Sequence, residues 1–371
     1  YLSFVDSYDD ADITGNEIIY SNPLIAGSVV ENIAPPPAML MTIHNNRLYV
    51  VNSEDSSAWY SKTIQDGTGV SFSDLFAEAV DARGGDVSAI ASLDDKFVAY
   101  KNEIFFVQSG DGPNDTGAGS TLTNFQLVPS DVGCTESKSV IRIPSGLLFK
   151  SAKGIFLADR SLNVSYIGAT VEDYNSQSIS AATLIKDKTQ IRFLTDSGST
   201  LVYDYFFNQW STFTQHTGTS ADIWNDVYVY ARTDGNLYQE NPTTFLDRTT
   251  AYAVKGKTGW MALASIQGFQ RVRKLAILGT FAGASSHGVK VSAAYDFSAS
   301  FSTPIPYSFS GSSGAFQFRE MLPRQLCDAI QLVIEEVTTG ASGENFSISN
   351  MSFEAGMKKG LNKLPPGQTV G

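Results

Sequence analysis

A block of short strands and tight turns recurs along most of this chain, and recurrence at a fixed period constrains the fold more than any other feature of a sequence. An apolar strand is followed by a polar turn, a second apolar strand, another turn and an aromatic strand. The first block runs Leu40 to Ile43, His44-Asn45-Asn46, Arg47 to Val51 and Ala58 to Ile64. First strands begin near residues 40, 87, 139, 181 and 223, a spacing of roughly 42 to 52 residues. Four short strands at that period predict a β-propeller blade.

The alternation inside the blocks supports strands over helices. Gln190-Ile191-Arg192-Phe193-Leu194-Thr195 and Thr200-Leu201-Val202-Tyr203-Asp204-Tyr205 mostly alternate polar and apolar, with Asp196-Ser197-Gly198-Ser199 as the turn between them. Ile223 to Ala231 and Asn236 to Gln239 form a shorter last block. The count is five blades, or six if the N-terminal residues supply strands. Only Ser73 to Ala82 reads as a short helix.

The period is lost near residue 248. Longer segments follow, such as Arg273 to Phe281, Val289 to Tyr295, Ala329 to Glu335 and Phe346 to Glu354, separated by Ser- and Gly-rich turns. They predict an antiparallel, sandwich-like C-terminal domain. The expected fold is therefore all-β: residues 1–33 as the end of a preceding β-domain or N-terminal strands, a Pro linker at 34–37, a propeller at 38–247, a sandwich at 248–357 and a tail at 358–371.

Composition agrees, since Gly 31, Tyr 16 and Phe 23 go with only 17% charged residues. No run of about 18 apolar residues could span a bilayer, and a soluble protein is expected. The chain starts at Tyr1 with no basic stretch followed by an apolar one, so no signal peptide is read and a processed or truncated start is expected. Cys134 and Cys327 lie far apart and lack ligand-spaced partners, which predicts two buried free thiols.

The net charge of -12 is unevenly divided. Residues 1–250 hold 15 Lys+Arg against 31 Asp+Glu, a balance of -16, whereas residues 251–371 hold 11 against 7, a balance of +4. Binding to phosphates needs a basic surface, so the N-terminal two-thirds is unsuited to holding nucleic acid. It could surround DNA without gripping it.

Catalytic chemistry finds little footing. The three histidines, His44, His216 and His287, have no metal-ligand spacing and are expected in solvated turns. A propeller glycosidase such as a sialidase carries turns of the form Ser-x-Asp-x-Gly-x-Thr-Trp. Ser53-Glu54-Asp55-Ser56-Ser57-Ala58-Trp59 and Asp196-x-Gly198-x-Thr200 keep only fragments of that motif and read as tight turns. Gly110 to Gly119 lacks both the carboxylate spacing of a calcium loop and the Lys-Ser/Thr of a phosphate loop. It reads as an interblade loop, whose Asp111 and Asp115 are candidates for contact with a neighbouring subunit. No catalytic, cofactor-binding or metal residue is assigned, and the chain is not expected to be an enzyme.

The C-terminal basic residues include Arg271, Arg273, Lys274, Arg319, Arg324, Lys358, Lys359 and Lys363. Arg271, Arg273, Arg319, Arg324, Lys358 and Lys359 are candidates for pairing with the acidic propeller of an adjacent copy, where complementary potentials would fix register.

Several pieces, in order, resemble the tail nozzle (tail hub, or DNA-stabilisation) proteins of short-tailed bacteriophages. They are Gly110-Asp111-Gly112-Pro113, Asp131-Val132-Gly133-Cys134, Gly146-Leu147-Leu148-Phe149, Lys153-Gly154-Ile155-Phe156-Leu157-Ala158-Asp159-Arg160, Tyr203-Asp204, Gln209-Trp210-Ser211-Thr212-Phe213, Gly268-Phe269-Gln270-Arg271-Val272 and Pro323-Arg324-Gln325-Leu326-Cys327. The resemblance implies a homohexameric ring in the virion, assembled in the host cytoplasm, that meets an adaptor ring and tail fibres or spikes. Such a ring retains the packaged genome and lets it out. An acidic wall suits that role, because it repels phosphates and lets duplex DNA slide. The alternative from another class is a carbohydrate-binding or glycosidase-type propeller with Tyr and Trp stacked on sugars.

Overall fold

In a computed structural model, residue 9 and residues 29–359 are described, apart from 53, 215, 242, 247, 248, 265–267, 284, 285 and 323–325 and the side chains of 358 and 359. The chain divides into two compact units, Tyr1–Gln239 and Glu240–Gly371.

Turn residues set the blades of the first unit. Asn45 and Asn46, both at positive φ, close the hairpin between β1 (Ala38–His44) and β2 (Arg47–Asn52). With β3 (Ala58–Tyr60) and β4 (Ala77–Glu78) these form a four-stranded antiparallel sheet, blade 1. Blade 2 is β5 (Ala89–Leu93), β6 (Lys96–Tyr100), β7 (Phe105–Ser109) and β8 (Gln126–Leu127). Blade 3 is β9 (Ile141–Ile143), β10 (Gly146–Ser151), β11 (Gly154–Asp159) and β12 (Val164–Tyr166). Blade 4 is β13 (Ile179–Ile185), β14 (Gln190–Thr195), β15 (Thr200–Asp204) and β16 (Gln209–Phe213). Blade 5 has three strands, β17 (Ser220–Trp224), β18 (Val227–Ala231) and β19 (Leu237–Gln239).

The first strand of each blade runs beside the first strand of the next, which is propeller stacking. Between blades, apolar side chains from facing sheets merge into buried clusters. Tyr100 and Phe105 of blade 2 meet Phe149 of blade 3, with Tyr100 and Phe149 ring centroids 4.9 Å apart. Burying one such aromatic contributes about 1.5–3 kcal/mol, so each junction is a substantial core.

Two expectations need correction. Ser73 to Ala82 is not a helix: one turn, closed by the Phe76 amide donating to Ser73 O, leads into β4. Phe76 is fully buried in the cluster between blades 1 and 2 and its carbonyl accepts the Tyr60 amide, so tertiary packing overrides local helix preference. Ile223 to Ala231 is two strands rather than one, because Asn225 and Asp226 both take positive φ and turn the chain between β17 and β18.

Residues 30–33 belong to the blades. Val30 is buried in the cluster between blades 1 and 2, its amide donates to Asp115 O (2.8 Å), and Ile33 bridges to Phe72. Residues 10–28 and the tail beyond 359 lie outside the described residues.

The second unit has two sheets around one core. One pairs β20 (Lys255–Lys257), β25 (Ile330–Val337), β22 (Gly288–Tyr295) and β23 (Ile305–Ser308), and the other pairs β24 (Ser313–Met321), β21 (Gly268–Ala282) and β26 (Asn345–Lys359). Val272, Leu275, Ile277 and Phe281 of β21 point inward against Val289, Val291, Ile330 and Leu332. This is sandwich packing. Among the described residues no helix is long and apolar enough to cross a membrane.

Candidate interaction surfaces

The inner strands β1, β5, β9, β13 and β17 carry one carboxylate among them, Asp222. Most described acids of the first unit sit instead in turns and linkers, such as Asp55, Asp94, Asp95, Asp196 and Asp226, with Glu78, Asp159 and Asp204 at the ends of outer strands. Asp94 links blades 2 and 3 by accepting from Arg142 (2.8 Å) and Arg160 (3.1 Å). Glycoside hydrolysis ordinarily needs two carboxylates flanking the bond, and these strands do not supply the pair.

The histidines expected in solvated turns are built into the fold. His44 ends β1 and is 2% exposed, its Nδ1 2.8 Å from Ser92 Oγ on blade 2, between Tyr49 and Phe97. Burial pushes its pKa below the ordinary value. His216 lies 2.6 Å by Nδ1 from Thr200 Oγ1 and edge-on to Tyr230. His287 is fully buried with Nε2 2.8 Å from Glu336 Oε1. The turn residues around His44 suggest exposure in the sequence, but strand β1 extends through it.

The loop after β7 is folded onto blade 1. The buried Arg47 guanidinium donates to Ser61 O and Pro113 O, and Asn45 Nδ2 donates to Asp111 Oδ1 (3.0 Å). The Asp115 carbonyl holds Val30, and Asn114 Oδ1 accepts from the amides of Thr116 and Ala118. Its oxygens serve protein donors, and the loop clamps blade 2 to blade 1. Asp111 remains exposed and Asp115 is half-buried.

Sequence reading missed three buried lysines that perform a similar task, Lys62, which donates to Val30 O (2.7 Å), Lys101 and Lys150. Lys101, just after β6, donates to Asp81 O, and its own carbonyl accepts the Cys134 amide at 2.9 Å. Lys150 in β10 donates to Glu136 Oε1 (2.7 Å) and to Gln177 O, while Glu136 Oε2 accepts the Ile179 amide (2.6 Å). Lys101 and Lys150 each pin a linker between blades. A lysine closing an apolar run, as in Leu147-Leu148-Phe149-Lys150, was the available signal. Cys134 beside this network is buried and free, and burial pushes its thiol up to about 11. Cys327 is likewise free and buried.

In the second unit, Arg271, Arg273 and Arg319 are exposed on the outer face of the β24-β21-β26 sheet, with Arg319 opposite Ala276 rather than beside the other two. A bulge between Val272 and Lys274 lets Arg273 and Lys274 both stay exposed, and Lys274 pairs with Glu354 at 3.4 Å. Arg324 and the side chains of Lys358 and Lys359 lie outside the described residues, although Lys358 and Lys359 pair by backbone with Phe269 and Gly268. Asp111 and Asp115 belong to the other unit.

A cavity of about 370 Å³ opens in the second unit, lined by Tyr252, Val254, Ile334, Phe346, Glu336 and Glu344 among others. Both carboxylates are engaged in holding strands. Glu336 takes His287 and the Val254 amide (3.0 Å), and Glu344 takes Thr338 Oγ1 (2.6 Å) and the Thr339 amide (2.9 Å). Burial pushes Glu344 up, but the Thr338 and Thr339 hydroxyls outweigh it and leave its pKa below the ordinary value. Among the described residues no group of three or more His, Cys, Asp or Glu is placed to hold a metal ion.

No family model matches the chain, and no curated protein matches it. Solved structures similar to it include an exo-beta-1,3-galactanase from Phanerochaete chrysosporium, at 10% identity and a TM-score of 0.31 over 88% of this chain and 99% of that one. A glycoside hydrolase family 43 arabinoxylan arabinofuranohydrolase from Bacillus subtilis gives 12% identity and 0.27 over 90% and 97%. A chain of the mitotic checkpoint complex gives 8% and 0.36 over 54% of this chain, which spans 60% of that one.

Proposed function

We propose that this chain is a structural β-propeller of a bacteriophage tail, a nozzle or hub ring that extends the DNA channel, retains the packaged genome and allows its ejection. The observation that carries the reading is the placement of the polar interior. Arg47, Lys101, Lys150 and Glu136, which elsewhere could serve chemistry, tie loops and linkers to blades. Asp131 to Cys134, Gly146 to Phe149 and Lys153 to Arg160, the pieces that resemble tail nozzle proteins, lie at and beside the junction of blades 2 and 3.

The charge division supports the role. Acid in the turns and linkers of the first unit disfavours phosphate, and the arginines on the second unit offer a complementary face to a neighbouring copy or an adaptor ring. On this reading the chain acts as a homohexamer in the virion, beside fibres or spikes, and duplex DNA passes without specific binding.

Light scattering on the purified chain, paired with a glycan array, separates this from a sugar-binding propeller. Concentration-dependent assembly with no glycan signal is expected. A monomer at every concentration that binds glycans would overturn the proposal.

A further inference from the structure

Stacked repeats bury their apolar faces only against neighbours, so the two outermost faces of a stack need polar cover or a partner. Four buried clusters join blades 1 to 2, 2 to 3, 3 to 4 and 4 to 5. Among the described residues none joins blade 5 to blade 1.

Blade 1 shows what is left uncovered. In β1, Leu40 packs toward blade 2 and His44 reaches Ser92 there. Met39, Met41 and Ile43 alternate with them and so face away, 89%, 67% and 64% exposed. Leu48 stands opposite Ile43, and Val50, opposite Met41 and Trp59, is itself buried at 4% exposure, so the open surface is carried by Met39, Met41 and Ile43 with Leu48 and Trp59 half-buried beside them.

Blade 5 mirrors this at the other end. Ile223, Tyr228, Tyr230 and Tyr238 pack against blade 4. Trp224 and Leu237 alternate with them on the far face, 73% and 74% exposed, with Val227 and Val229 between. The blade 1 face is mostly apolar, whereas on blade 5 Asp222 and Gln239 stand opposite Val229 and set polar groups between the apolar ends at Trp224 and Leu237.

We propose that these two faces are the halves of a contact between copies, blade 5 of one chain stacking on blade 1 of the next. The partner is identified by continuity, because every junction within the chain joins the forward face of one blade to the backward face of the next. Blade 5 offers a forward face and blade 1 a backward face, and among the described residues no blade of the chain packs on either. The two faces differ, so the contact is head-to-tail and closes into a ring or runs on as a filament. The inference deepens the ring proposed above but rests on blade geometry alone.

The test compares the full chain with Met39→Ser/Met41→Ser and with Trp224→Ser/Leu237→Ser by sedimentation velocity at micromolar concentration. These side chains are exposed, so the blades keep their cores. The wild type is expected to assemble beyond a dimer, and each variant alone to be monomeric. Mixing the variants in equal amounts should give a dimer and nothing larger, since one intact face of each kind remains. As a check independent of those variants, mixed Met41→Cys and Trp224→Cys chains should cross-link through a short bismaleimide.

A wild type that stays monomeric, as when other residues of the same chain cover both faces, would overturn the contact. So would a mixture without dimer or cross-link. A six-fold ring that survives both serine variants would overturn this contact and leave the tail reading standing. Assemblies lost in both variants but lacking six-fold symmetry would support the contact and contradict the nozzle.

Discussion

Gly133→Ala is expected to destabilise the first unit by about 3 kcal/mol or more, the upper range for forcing extra atoms into a close-packed site. A Cβ at residue 133 would lie 1.9 Å from Lys101 O and 2.7 Å from both Ile104 N and Ile104 O. All three are backbone atoms, and they belong to a turn closed by the Lys101 amide donating to Ile104 O at 2.9 Å. No side-chain rotation relieves the overlap, so the linker must leave the turn and lose the bond from Cys134 to Lys101. For a unit of this size each kcal/mol lowers Tm by about 2–4 °C, so a fall of roughly 6–12 °C is expected in thermal unfolding. Gly69→Ala is the control, because nothing lies within 4 Å of its added Cβ. Equal melting of the two variants would mean that the linker does not pack as described.

Glu136→Ala is expected to cost about 3–5 kcal/mol, the usual penalty for leaving a buried partner of an ion pair alone. The Lys150 side chain is 6% exposed and would keep only the Gln177 carbonyl, while the Ile179 amide at the start of blade 4 would lose its acceptor. Replacing both charges, as in Glu136→Gln with Lys150→Met, removes the stranded ammonium and keeps an acceptor for Ile179. The double variant should recover much of the loss, since apolar replacements of buried pairs are often near neutral. Urea unfolding of the two variants measures the difference. If the single and double variants fall equally, the pair does not join these blades.

The blades were legible because their hairpins are local. In β10 and β11, an apolar run, a short turn and Gly154 at a φ of 118° appear in that order along the chain. The turn at Asn225-Asp226 was not, because it has no glycine and interrupts an apolar run that reads as one strand. Phe76 misled in the opposite way: a helix-like stretch from Ser73 is unwound when its aromatic enters the core between blades 1 and 2.

The surfaces divide along the same line. Exposure of the arginines on β21 and β24 follows from alternation within single strands, which a sequence displays. The roles of Lys101, Lys150 and His44 depend on groups in the linkers between blades or on another blade, 14 to 48 positions away, which no local pattern encodes. Met39, Met41 and Ile43 are intermediate. Their alternation announces an apolar face, but only the arrangement of the five blades leaves Met39, Met41 and Ile43 exposed, with no other described blade packed on them.

Imaging of the purified particle by electron microscopy tests the central claim most directly. The account predicts a six-fold ring with an axial hole. Discrete single-chain particles with no ring at any concentration would contradict it.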